Sequence, residues 1–356
     1  MYKAAIAAID IDKDHPNRAD RRSVAIWLFI CCGLVLLMVV VGGVTRLTQS
    51  GLSIVEWQPI IGTVPPLNKS QWAAAFQSYQ QTPQYQQVNE GMSLAAFKRI
   101  FWWEYFHRLA ARGVGLAFLL PFLYYLAHGT IRGVLAWKLA GIFVLGAMQG
   151  ALGWYMVKSG LVDNPRVSQL RLTAHLGIAF LILAALLWTA LDIVRPRRGE
   201  PSAQQRRLAR QALALCALVF LMVLSGGLVA GIRAGFAYNT FPLMNGSFVP
   251  SEILLLEPWW KNLFYNMATV QFVHRSFAWL LIVLIPLFWF ASRRIELRRE
   301  ARIATATMPA MLAIQVTLGI ATLLMKVPVP LAAAHQAGGV LLFSASLWAS
   351  HALRSK

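Results

Sequence analysis

This 356-residue chain is poor in charge: Asp, Glu, Lys and Arg make up 13% of it, about half the share usual in soluble domains. Cysteine is missing from every predicted loop. The three cysteines, Cys31, Cys32 and Cys216, all fall inside apolar blocks, which argues against a structural disulfide and against a cysteine zinc site. The first 23 residues lack the Arg-rich, acid-poor composition of a transit peptide, since Asp10, Asp12, Asp14 and Asp20 alternate there with Lys13, Arg18, Arg21 and Arg22. The apolar block that follows is too long for a cleaved signal and reads as a retained helix.

Hydrophobic residues account for 58% of the chain. They come in blocks of about twenty, the length that crosses about 30 Å of hydrocarbon. Eight spans are predicted, at 24–44, 107–128, 137–157, 173–193, 211–231, 270–290, 304–325 and 332–352. The formal charge of +19 is carried by Lys and Arg clustered in short loops, so it is a topology signal. Nucleic-acid binding is not expected, because a basic patch needs a soluble face. One side of the predicted topology holds 20 Lys and Arg and the other 10, leaving aside Arg108, Arg112 and Arg275 at helix mouths. The richer side faces the cytoplasm. Both termini are then cytoplasmic, with 1–23 a cytoplasmic tail, and loops 45–106 and 232–269 face the periplasm or its equivalent.

Loop 45–106 is rich in Trp, Tyr, Phe and Gln, which argues against disorder. Gln71–Tyr79 and Leu94–Trp103 are predicted as short interfacial helices. The polar segment 194–210 is a cytoplasmic linker between an N-terminal half, 24–193, and a C-terminal half, 211–352. The halves repeat one another. Gly42-Gly43 with Arg46 answers Gly226-Gly227 with Arg233, and His107-Arg108 answers His274-Arg275. Gln149-x-x-Leu152-Gly153 answers Gln315-x-x-Leu318-Gly319, and His175-Leu176-Gly177 answers His335-Gln336-Ala337-Gly338. Four spans per half give both halves the same orientation, hence a parallel repeat about the membrane normal.

Of seven histidines, His15, His128 and His351 are assigned no function. The other four fall near the starts of spans two, four, six and eight, at the periplasmic end, two per half. Polar residues inside a bilayer are costly and tend to mark sites. Two imidazoles on neighbouring helices form an axial pair for haem iron; no Cys, Asp or further His joins either pair to make a zinc or copper site. Arg108 and Arg275 offer cationic forks for haem propionates, or simply snorkel to the interface. The paired glycines allow close approach of a helix or of a flat macrocycle, or serve plain helix packing. The halves differ just before the first histidine of each. Glu104 stands three residues before His107, where Gln271 stands before His274. A carboxylate there can take a proton or balance positive charge, or serve the helix dipole.

These residues resemble the haem A synthase family. The resemblance rests on Gly42-Gly43-Val44-Thr45-Arg46-Leu47-Thr48-x-Ser50-Gly51-Leu52-Ser53, on Glu104-x-x-His107-Arg108, and on the helices of His175, His274 and His335. Trp57-Gln58-Pro59-Ile60 and Tyr238-Asn239-Thr240-Phe241-Pro242-Leu243-Met244 look like the subgroup shared by alphaproteobacteria and mitochondria, here without the outer-loop cysteine pair of some members. It implies an all-α integral membrane protein of eight transmembrane helices in two pseudo-symmetric four-helix bundles. The implied reaction converts the C8 methyl of haem O to a formyl group, giving haem A for cytochrome oxidase. His274 and His335 would hold a resident haem b, His107 and His175 would flank the substrate haem O, and Glu104 matches an essential acidic residue. Delivery by haem O synthase follows from the substrate. An electron donor is required but unnamed, and a homo-oligomer is compatible. A non-enzymatic di-haem b electron carrier, or a transporter built on the same repeat, remains as an alternative.

Overall fold

The computed structural model describes residues 18–56, 61–161, 165–196 and 199–354. The Trp57–Ile60 segment, His15 with most of the 1–23 tail, and Arg197 and Arg198 of the linker lie outside the described residues. Eight long helices dominate: α1 (Arg18–Leu47), α4 (Leu94–Ala127), α5 (Gly133–Gly160), α6 (Gln169–Val194), α7 (Ala203–Gly231), α9 (Met267–Arg293), α10 (Arg299–Leu324) and α11 (Val329–Ala352). Three short ones, α2 (Lys69–Gln80), α3 (Pro83–Val88) and α8 (Asn262–Tyr265), sit in the two long loops. Among the described residues there is no named strand.

Seven of the long helices are long and apolar enough to cross a membrane. Their outer faces expose large apolar side chains such as Leu120, Leu123, Val283, Leu287 and Ile314, as lipid contact requires. The exception is α11, which covers the expected span 332–352 but carries His335, Gln336 and three serines. It packs against α1, α6, α7 and α10, so little of it needs to be lipid-compatible.

Helix ends follow from local chemistry. Ser93 caps α4 by accepting from the Ala96 amide, Ser202 caps α7 through Gln205, and Asn266 caps α9 through Ala268 and Thr269, satisfying amides that have no partner within the helix. The expected break between Leu94–Trp103 and span 107–128 does not exist. No Gly or Pro interrupts 94–112, so one helix runs through, and its first turns stand above the apolar block. Lys69–Gln80, by contrast, is a separate helix close to the expected Gln71–Tyr79.

Packing neighbours form two closed sets. In the first, α1 packs on α4 and α6, and α5 on the same two; in the second, α7 packs on α9 and α11, and α10 on the same two. The sets meet where α1, α6, α7 and α11 touch. The outer loop has its own aromatic core of Trp72, Tyr79, Phe97, Phe101 and Tyr105. It is tied to the end of α1 by a bond from Gln84 Nε2 to the Gln49 carbonyl (2.9 Å).

At the end of the bundle away from the four histidines, Asp192 of α6 accepts from Arg354 (2.7 Å) and meets His351 Nε2 (3.0 Å). His351 is thus not a loose interfacial side chain; it is buried and stacked edge-on against Trp188. This cluster fastens α6 to α11 across the two sets. Replacing Asp192 with Ala leaves the buried His351 and the partly exposed Arg354 without their shared acceptor, and is expected to cost about 1–3 kcal/mol, read as a lower thermal midpoint in detergent. Adding Arg354→Ala should then change little, and full additivity of the two losses would show that they do not share one cluster.

Candidate functional site

Each of the four repeated histidines leans on a glycine of the next helix. A Cβ built on Gly42 of α1 would lie 3.2 Å from His107 Nε2, and one on Gly153 of α5 would lie 3.0 Å from His175 Cε1. In the second set, Gly226 of α7 meets His274 Cε1 at 3.2 Å and Gly319 of α10 meets His335 Cε1 at 2.8 Å. All four distances are shorter than ordinary carbon contacts, so a side chain at any of these glycines displaces a ring. The glycine motifs are therefore imidazole seats. The second glycine of each pair faces the other set: Gly43 abuts the Gln336 side chain of α11, and Gly227 abuts Thr173 of α6, 2.9 Å from its Oγ1.

His107 and His175 lie within electrostatic reach of each other, as do His274 and His335. They do not come from adjacent helices, as the spacing had suggested. α4 and α6 are diagonal partners in their set, and so are α9 and α11. Neighbouring helices sit about 8–10 Å apart, so a diagonal spans about 11–14 Å, which leaves room between facing imidazoles. All four rings keep part of their surface accessible. No third imidazole, thiol or carboxylate gathers with either pair among the described residues. Two imidazoles across a diagonal, each seated on backbone, fit a flat iron macrocycle held from both faces better than a closed zinc site.

Hydrogen bonds at Nδ1 distinguish the pairs. His274 Nδ1 is 2.8 Å from Ser225 Oγ, and His335 Nδ1 is 3.2 Å from the Gln315 carbonyl. His175 Nδ1 lacks a hydrogen-bond partner, although the equivalent Gln149 carbonyl is near it. The position matching Ser225 in the first half is Val41, which offers His107 no hydroxyl.

One turn away, Glu104 and Gln271 hold the outer loops. Glu104 is 2% exposed. Its Oε2 accepts from the Ser53 amide (2.7 Å), the Ser53 hydroxyl (2.7 Å) and the Ile54 amide (2.8 Å), and its Oε1 accepts from Arg108 (2.6 Å). Gln271 accepts from Arg275 (2.7 Å) through Oε1, but its Nε2 donates to the Ala234 carbonyl (2.6 Å). The acid and the amide thus each match the polarity of their own loop: donors face Glu104 and an acceptor faces Gln271. Arg108 also donates to the Ile54 carbonyl (3.0 Å), and Arg275 to the Tyr238 (2.8 Å) and Leu243 (3.3 Å) carbonyls. The two arginines expected to meet carboxylates are therefore committed, on these edges, to the loops above their histidines.

The long motif after Gly42 is now accounted for by contacts. Thr45 Oγ1 donates to the Val41 carbonyl (2.9 Å), Thr48 and Ser50 pair their hydroxyls (2.7 Å), and Gln49 turns the chain at φ 56°. That turn brings Ser53 back to Glu104. Ser53, Ser225 and the roles of Gly153 and Gly319 were not foreseen from sequence. The signal existed in the repeat itself, as the residue before each glycine pair and the glycine closing each Gln-x-x-Leu-Gly.

The family described as COX15-CtaA, cytochrome oxidase assembly protein, matches residues 25–347. A protein named heme A synthase from Nitrosospira multiformis is 62% identical over 337 residues, 94% of this chain and 95% of that protein. Proteins of the same name from Nitrosomonas eutropha and Parvibaculum lavamentivorans are 56% and 47% identical, each over more than 90% of both chains.

The glycine seats give an ordered expectation. Gly319→Ala places a methyl 2.8 Å from His335, and Gly226→Ala places one 3.2 Å from His274. Gly319→Ala should disturb the visible absorption of the purified protein more than Gly226→Ala does. Indifference of the spectrum to both would remove the glycines from the site.

Proposed function

This chain belongs to the COX15-CtaA family of cytochrome oxidase assembly proteins, and on that premise we propose that it works as a haem A synthase, oxidising the C8 methyl of haem O to a formyl group. The observation that carries the reading is the pair of imidazoles facing across a diagonal in each set, each seated on a glycine. The two closed packing sets support an eight-span architecture of two pseudo-symmetric four-helix bundles, 24–193 and 211–352, joined by linker 194–210. The charge asymmetry of the loops supports cytoplasmic termini in a bacterial inner membrane, with the histidines toward the periplasm.

His274 and His335 would hold a resident haem b, and His107 and His175 would flank the substrate haem O. A haem bound in the C-terminal half supplies one-electron transfer. The chain's own part is placement. Exposed apolar faces let a farnesylated substrate approach through lipid, the glycine seats fix ring positions, and the aromatic loop roofs the N-terminal half against water. Glu104 holds the Ser53–Ile54 turn and Arg108 one turn from His107. It is the acidic group placed to take a proton, or to balance positive charge, as the methyl passes through an alcohol to the aldehyde.

Two measurements separate the roles. His274→Ala or His335→Ala should abolish the resident Soret band, whereas His107→Ala or His175→Ala should keep it and stop haem A formation; the reverse pattern would exchange the assignments. Glu104→Gln should retain the resident haem and lower haem A formation by about 10²-fold or more, measured on pigments extracted from membranes. Full activity in that variant sinks the role of Glu104. Haem b as the sole pigment, with no haem A or hydroxylated intermediate, would instead favour a di-haem electron carrier.

A further inference from the structure

We propose that Ser225 is a positioning residue that makes the C-terminal half the retaining site, and that Val41 at the matching position leaves the N-terminal half able to exchange its ligand. The inference rests on the haem-binding reading above. Ser225 is 6% exposed and donates its single hydroxyl proton to the Met222 carbonyl (2.7 Å). Its oxygen then accepts from His274 Nδ1, at 2.8 Å, beside the Met222 carbonyl, which is a second acceptor within reach of the same ring. That bond puts the imidazole proton on Nδ1, leaves Nε2 with its lone pair, and fixes the ring about its Cβ–Cγ bond. The Gln315 carbonyl does the same for His335, since a carbonyl can only accept. Both C-terminal imidazoles are thus locked as Nε2 ligands, and a partner that donates nothing and accepts from Nδ1 raises ligand basicity.

The N-terminal half has the same seats without the locks. Val41 offers His107 no acceptor, and His107 turns its Nε2 and Cδ2 edge toward Gly42, where His274 turns Cε1 and Nδ1 toward Gly226. His175 Nδ1 lies near the Gln149 carbonyl, which matches Gln315, but outside good hydrogen-bond geometry with it. A ring with no side-chain acceptor at Nδ1 is held less firmly in the tautomer that frees Nε2, and gives a weaker, more labile ligand. That suits a site which takes in one haem and releases another.

The test uses the full-length protein in detergent and reads transfer of its haem to an excess of apo-globin. Ser225→Ala should speed loss of the resident haem about 10- to 100-fold and shift its low-spin electron paramagnetic resonance signal, with the thermal midpoint unchanged. Ser225→Thr, which keeps the hydroxyl, should restore both. Val41→Ser should slow transfer of haem added to the N-terminal half. Loss rate and spectrum unchanged in Ser225→Ala overturn the proposal, as does equal disturbance in Ser225→Thr. Failure of the parent reading is distinguishable, because then the unsubstituted protein holds no haem that His274→Ala removes.

Discussion

An imidazole resting on the bare backbone of a neighbouring helix is the contact on which the rest of this protein is arranged. A histidine inside a bilayer needs a defined place, and a side chain on the facing helix would occupy it. Glycine at 42, 153, 226 and 319 removes that side chain. The contact is made four times, and it fixes which helices are neighbours: α1 with α4, α5 with α6, α7 with α9, and α10 with α11. Because the histidines sit on α4, α6, α9 and α11 and their seats on the helices between, the imidazoles of a pair end up across a diagonal. The space between them is a consequence of where the glycines are.

The outer loops are fixed from the same helices. Arg108 and Arg275 immediately follow His107 and His274, so any loop they bind is held in register with a ring. The acceptor each arginine shares, Glu104 or Gln271, completes the tie, and its second polar atom reads the loop's polarity. Exchanging acid for amide at 104 would set an amide against the Ser53 and Ile54 amides, donor against donor. Such a buried mismatch costs about 1–3 kcal/mol, so the acid has a structural reason to be there whatever chemistry it also performs.

Much of this was legible in the sequence. Apolar blocks of bilayer length gave the long helices, and the ordered matches between halves located all four histidines and their glycines. What the sequence withheld were relations between helices. Spacing placed Gly153 and His175 on different elements but could not say that one seats the other, and it suggested adjacent rather than diagonal histidines because nothing in one dimension separates the two. The apolar blocks that marked eight spans also started α4 too late, at 107 and not at Leu94, since a helix can begin well above the hydrophobic block. Glu104 against Gln271 was read as a chemical difference, and its match to loop polarity needed Ser53 and Ala234 in place.

A duplicated site whose halves do different work has to differ without losing the common frame. Here the frame is backbone: four glycines and two arginine-held loops, all kept in both halves. Two of the differences are side chains that touch the frame from outside the contact, Val41 against Ser225 and Glu104 against Gln271. Each can change while the helices stay packed as they are, because neither contributes to the seat itself. A site that passes a ligand on cannot gain from holding it as tightly as a resident group is held, since tighter ground-state binding only slows release. A side chain beside the seat can change how one ring is held while the helices of that half keep the same neighbours as those of the other.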